Sequence, residues 1–140
     1  MKLLAAIPAF LAAVAFADDE LVWQNIPPVD ASYTIGTDFV LEWTPEKKST
    51  DTFSLTIGAW NSTPEYYTTG PYGSQIPVYD TKEITLSDAV PFSAGNYTWE
   101  IKTLDDAGVW TGEQFCYSFT ATWNGGFESS SPRAFHIVNP

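Results

Sequence analysis

Few side chains in this chain could do chemistry. His136 is the only histidine and Cys116 the only cysteine. A metal-dependent hydrolase or a nucleophile-histidine enzyme would have to be built around that single imidazole. No Gly-x-Ser-x-Gly segment supplies an activated serine. His136 has the parity opposite to Phe135 and Ile137 in the closing apolar run, so it is expected to point outward. Cys116 reads as a buried small hydrophobe, with an intermolecular disulfide as the alternative. Carboxylates are plentiful, and glycoside hydrolysis needs only two of them about 5–10 Å apart. Yet Asp18-Asp19-Glu20 clusters near a chain end, and Asp105-Asp106-Ala107-Gly108 reads as a solvated turn. Asp105 and Asp106 could contribute to a calcium site, but the ligand series of a helix-loop-helix calcium loop is missing. No catalytic residue, metal or cofactor is therefore expected, and the protein is read as a non-enzyme.

Two kinds of residue do point to a role. Asn61-Ser62-Thr63 and Asn96-Tyr97-Thr98 are N-glycosylation sequons. Trp60, Tyr66, Tyr67 and Tyr72 place four aromatic rings at the end of an apolar run and in the Pro- and Gly-containing segment after it. Phe53, Leu55 and Ile57 define the inward parity of that run, which turns Trp60 outward unless a bulge near Gly58 resets it. Aromatic rings can lie on the C–H faces of sugars while tyrosine hydroxyls bond the sugar hydroxyls. The other reading is that these rings fold over an open sheet edge as a secondary hydrophobic cluster. Both stand on sequence alone.

The elements that must position these residues are strands. TDFVLEW, TFSLTIGAW, NYTWEIKTL, EQFCYSFTATW and RAFHIV all alternate apolar and polar residues, as strands with one buried face do. Adding strands near Leu21–Asn25 and Lys82–Leu86 makes about seven. Between them lie Pro27-Pro28, Pro45, Pro64, Gly70-Pro71-Tyr72-Gly73, Pro91, Gly95, Gly108 and Asn124-Gly125-Gly126, which end strands and shape turns. The expected fold is an all-β sandwich of antiparallel strands, with no helix of any length. Its core is expected to hold Phe39, Leu41, Trp43, Phe53, Leu55, Ile57, Tyr97, Trp99, Ile101, Phe135 and Ile137. The segment LSDAVPFSAGNYTWEI, with Leu86, Pro91, Gly95 and Tyr97, resembles the tyrosine corner of immunoglobulin-like and fibronectin type III domains. There, a phenol reaches back to a backbone group between two sheets.

The first 17 residues, MKLLAAIPAFLAAVAFA, combine a lysine, an apolar run and a small-residue Ala-x-Ala end, the pattern of a cleaved signal peptide. The run is too short and too broken by Pro8 to span a bilayer. A single domain, residues 18–140, is expected to follow from Asp18. Cleavage there leaves no N-terminal histidine for a copper site. No second hydrophobic span follows Ala17, so a soluble product without a membrane anchor is expected. A domain of this size can bury a core without covalent staples, and one cysteine allows no internal disulfide. Loss of Lys2 with the leader lowers the basic count from six to five against 17 acids, taking the net charge from −11 to −12. That field repels nucleic acid and anionic membranes. Trp, Tyr and Phe together number 22, more than a small sandwich core hides, so some rings must be exposed.

Several segments in order resemble the Ser/Thr-rich, lipid-anchored fungal cell-surface family, which shares its fold with the N-terminal domain of yeast cell-wall β-1,6-glucan synthesis proteins. They are Asn25-Ile26-Pro27, Tyr33-Thr34-Ile35-Gly36, Val40-Leu41-Glu42-Trp43-Thr44, Phe53-Ser54-Leu55, Gly95-Asn96-Tyr97 and Ser131-Pro132-Arg133-Ala134-Phe135-His136-Ile137. The family's Ser/Thr-rich stalk and anchor signal are absent, and the 61–80 segment is richer in tyrosine and proline than the resemblance implies. What it implies is an extracellular immunoglobulin-like or fibronectin type III-like sandwich associated with the fungal cell wall, without a catalytic set. The expected partner is cell-wall polysaccharide or a surface protein. Binding of a host protein by a secreted effector is the second reading, and a hydrolase with an acid pair the third.

Overall fold

The computed structural model describes residues 21–45 and 51–140. The leader, Asp18, Asp19 and Glu20 lie outside the described residues. Eleven strands are present among the described residues: β1 (Leu21–Trp23), β2 (Ser32–Thr34), β3 (Asp38–Pro45), β4 (Thr52–Asn61), β5 (Tyr66–Thr69), β6 (Gln75–Val78), β7 (Thr81–Pro91), β8 (Asn96–Glu100), β9 (Phe115–Trp123), β10 (Glu128–Ser130) and β11 (His136–Val138). The only helical turns among the described residues are three of 3-10 type, each three residues long. No helix of the described residues is long and apolar enough to cross a membrane.

The strands build two facing layers. One is a four-stranded antiparallel sheet in the order β10-β9-β4-β7, and the other a three-stranded antiparallel sheet in the order β1-β3-β8. Alternation in the sequence becomes alternation in burial. Phe39, Leu41 and Trp43 of β3 are buried while Asp38, Val40 and Glu42 are exposed, and Phe53, Leu55, Ile57 and Ala59 form the inner face of β4. Rings from both layers meet between them. Phe39 stacks on Phe119 at 5.7 Å, Trp99 meets Phe119 edge-on at 5.5 Å, and Trp43 meets Phe53 at 5.2 Å. Such pairs add about 0.5–1.5 kcal/mol each beyond their area. The indole N–H of Trp43 donates to the Phe92 carbonyl at 2.9 Å, whereas that of Trp99 is buried without a hydrogen-bond partner.

Two elements were not expected as they are. The pair β2–β11 is parallel, although the sandwich was read as wholly antiparallel. It closes one side because the last strand runs alongside an early one, and Phe135, just before β11, bridges Tyr117 of β9 through both backbone bonds at 2.8 and 2.9 Å. The second is the segment after Asn61, read as a long loop. Much of it is a hairpin, β5–β6, paired from Tyr66↔Val78 to Thr69↔Gln75. Pro77 stands opposite Tyr67, three pairs along the ladder from the hydrogen-bonded Gly70–Ser74 pair, and alternation makes this a position where its missing N–H faces away from the partner strand. These strands, with β2 and β10, are too short to alternate visibly, which is why about seven strands were expected.

Tyr97 ties the two layers together. It lies on β8, and its hydroxyl donates to the Leu86 carbonyl of β7 at 3.4 Å. The β4–β7 register skips Leu86, pairing Leu55 with Ser87 and Thr56 with Thr85, so this carbonyl sits at a bulge. Half-buried rather than fully buried, Tyr97 departs from the expected core. The other ten expected core residues are buried, joined by Leu21, Val90, Phe92 and Trp110.

Candidate functional site

Trp60 is the penultimate residue of β4. No bulge resets the strand at Gly58: Ala59 points inward and Trp60 stands on the outer face, half-buried, between Cys116 of β9 and Thr81 of β7. Beyond it the ribbon continues as the β5–β6 arm. Asn61 N–H donates to the Asp80 carbonyl at 3.0 Å and Glu65 N–H to the Val78 carbonyl at 2.8 Å, which carries the arm out from the β4–β7 pair. On the arm Tyr66 is 52% exposed, Tyr67 59% exposed and Tyr72 fully exposed. None of the ring contacts among the described residues involves Trp60, Tyr66, Tyr67 or Tyr72; those contacts lie in the sandwich and in the loop before β9. Ile76 and Tyr79 are exposed beside these tyrosines.

The tip is built by Gly70-Pro71-Tyr72-Gly73-Ser74. Gly70 N–H donates to the Ser74 carbonyl at 2.6 Å, and Tyr72 takes a left-handed φ of 61°, an uncommon conformation for a residue with a side chain. That conformation leaves its ring clear of the strands. Between Glu65 and Asp80 no residue is charged, although the chain carries 17 acids. The arm thus offers rings, hydroxyls and amides, and no ions.

The two sequons flank different regions. Asn61 ends β4 at the base of the arm, and its side-chain oxygen accepts hydrogen bonds from the Thr63 N–H at 2.9 Å and from Gln114 Nε2 at 3.0 Å. Asn96 opens β8, where it and Thr98 are exposed on the face away from the core.

The residues first considered for catalysis are gathered more closely than their spacing suggests. The Tyr117–Phe135 bridge sets Cys116 next to His136, on the side of the sheet away from Phe135. His136 has the expected parity but is buried, which corrects the expectation that it points into solvent. Its Nδ1 is 3.0 Å from the Phe115 carbonyl, and Nε2 is 3.9 Å from the carboxylate of Asp30, a residue with φ of 58°. A carbonyl only accepts, so Nδ1 carries a hydrogen. Burial, and then the Asp30 carboxylate, push the Cys116 thiol above its ordinary pKa. This is the opposite of what a thiolate nucleophile needs. Among the described residues no group of three or more His, Cys, Asp or Glu side chains is placed to hold a metal ion.

Asp105 has a structural task. Burial acts to raise its pKa, but hydrogen bonds from the Val109 N–H at 2.8 Å and the Trp110 N–H at 3.1 Å, together with those from its own backbone N–H and the Thr103 side chain, outweigh it and hold the carboxyl below its usual value. These bonds shape the loop that sets Trp110 against Phe115, stacked at 5.0 Å, with Lys82 Nζ 5.2 Å from the Trp110 ring centre.

No family model, no curated protein and no solved structure matches this chain. The site therefore stands on geometry. One further feature escaped sequence reading, a cleft of about 340 Å³ lined by Asp51, Thr52, Phe92, Trp123, Asn124 and Glu128. It lies at the far end of β4 from Trp60, and Asn124 donates to Glu128 at 3.0 Å inside it. Residues 51 and 128 meet only through the β4–β9–β10 pairing, and no local pattern joins them.

Proposed function

We propose that this chain is a secreted, N-glycosylated, non-catalytic module of the fungal cell wall or surface that binds neutral polysaccharide through Trp60 and the β5–β6 arm. In this reading the sandwich is of immunoglobulin-like or fibronectin type III-like type, supported by the Tyr97 bond to Leu86 between the two layers. The observation that carries the function is the exposed arm with tyrosine rings and no charge, on a chain whose formal net charge is −11. A charged partner would be met by complementary charges. A neutral polyhydroxyl polymer is met by flat apolar faces ringed with hydroxyls. A rigid scaffold holding such a segment at one edge is a common arrangement for binding.

The test is retention of the glycosylated mature protein on insoluble β-glucan and chitin. The triple variant Trp60→Ala, Tyr66→Ala, Tyr67→Ala is expected to keep the stability of the parent and to lose retention. A destabilised variant with unchanged retention would remove the arm from the binding role. A parent protein that stays in the supernatant would favour the second reading, in which the exposed rings meet a host or partner protein.

A further inference from the structure

We propose that the β5–β6 arm is bivalent, seating one neutral glycan chain on each of its two faces and so bridging two chains. The inference rests on the polysaccharide-binding reading of this arm and adds its valence. Successive residues of a strand point to opposite faces. Tyr66 therefore shares one face with Thr68 and with their ladder partners Val78 and Ile76. Tyr67 shares the other with Thr69, Pro77 and Gln75. In the sandwich each sheet gives one face to the core. The arm is a two-stranded ribbon by itself, and all of β5 and nearly all of β6 are exposed.

Each face then carries one tyrosine ring and one threonine hydroxyl, with Ile76 and Val78 beside Tyr66 and with Pro77 and the Gln75 amide beside Tyr67. Those are the elements of a single sugar-stacking subsite. One stiff polysaccharide cannot lie on both rings, because it would have to turn around the edge of the ribbon within the width of two strands, about 5 Å apart. Two separate chains can. Tyr72, fully exposed at the tip, belongs to neither face and would limit how far the two chains slide past the turn.

The experiment uses the full glycosylated protein with two probes: a short linear β-glucan oligosaccharide, titrated calorimetrically, and a long soluble β-glucan, followed by light scattering. Chitin oligosaccharides form a parallel arm. The expected parent result is two short oligosaccharides per protein and a rise in scattering of the long glucan, passing through a maximum with protein concentration. Tyr66→Ala and Tyr67→Ala should each halve the stoichiometry and abolish the scattering rise, with unchanged thermal melting. The double variant should bind neither probe. One oligosaccharide per parent protein overturns bivalence while leaving the binding function intact. So does a scattering rise that survives in the single variants, or a parent that sediments as a dimer without glucan, since a second copy would then supply the second site. No binding of any oligosaccharide by the parent overturns the function and the valence together.

Discussion

The sandwich interior and the β5–β6 arm are built from the same aromatic residue types and treat them in opposite ways. Tyr117 is fully buried, its hydroxyl bonded to the Trp110 carbonyl at 2.8 Å, and its pKa is pushed up to about 12, chiefly by burial. Tyr66 and Tyr67 lie on a strand as regular as β9 and are more than half exposed. Hydrophobicity and strand propensity do not separate them. The difference is the second layer: β9 faces β3 and β8 across the core, whereas among the described residues no sheet faces β5 or β6. A ring on a strand is buried only where another sheet covers its face, and an exposed apolar group of this kind marks a contact surface more often than a core.

Mutations can break this comparison, and the largest effect is expected in the interior. Trp43→Ala removes a ring that contacts Phe53 and a hydrogen bond to Phe92, and should cost about 3–5 kcal/mol in equilibrium denaturation. That is a large share of the roughly 5–15 kcal/mol that holds a domain together. A loss below about 1 kcal/mol would mean that Trp43 is not a core ring. Gly95 follows, because its φ of 76° is left-handed and its carbonyl accepts from the Trp43 N–H at 3.0 Å. A Cβ there meets only the Trp43 carbonyl at 3.7 Å, so the cost of Gly95→Ala is conformational, about 1–2 kcal/mol.

Tyr97→Phe leaves the ring in place and deletes one long, partly buried bond, so denaturation should register a loss of no more than about 1 kcal/mol. A larger value would make the bulge at Leu86 a principal tie between the layers. The smallest effect is reserved for the arm. Replacing residues 62–79 by an Asn-Gly turn joins strands already in register at Asn61 and Asp80, and should change stability by no more than about 0.5 kcal/mol. Retention on insoluble glucan should vanish in the same protein. An arm deletion that unfolds the domain would show that the ribbon supports the sandwich, and the contrast between the two regions would fall.

Much of the fold was legible because a half-buried strand writes its two faces into alternate residues. DFVLEW and TFSLTIGAW can satisfy that pattern in only one register, since a slip of one residue would put Phe39, Leu41 and Trp43 into water. The outward parity of Trp60 followed from the same rule. The segment from Tyr66 to Val78 was harder: with no covered face it has no alternation, and its prolines and glycines read as a loop. His136 shows the converse limit. Its parity was right, but its burial depends on neighbours supplied by Asp30, Cys116 and the Phe115 carbonyl, far away in the chain.

By itself, then, the amino-acid sequence determined the strand class, the inner face of the long strands, the turn positions and the absence of charge from the arm, because each is a property of neighbours along the chain. Only the tertiary structure decided which outward faces are covered, that β11 runs parallel to β2, that Cys116 lies beside His136, and that Asp51 and Glu128 share a cleft. Those outcomes depend on strand order across the sheets, set by burial against distant residues. It is this order that leaves Tyr66 and Tyr67 without a covering layer.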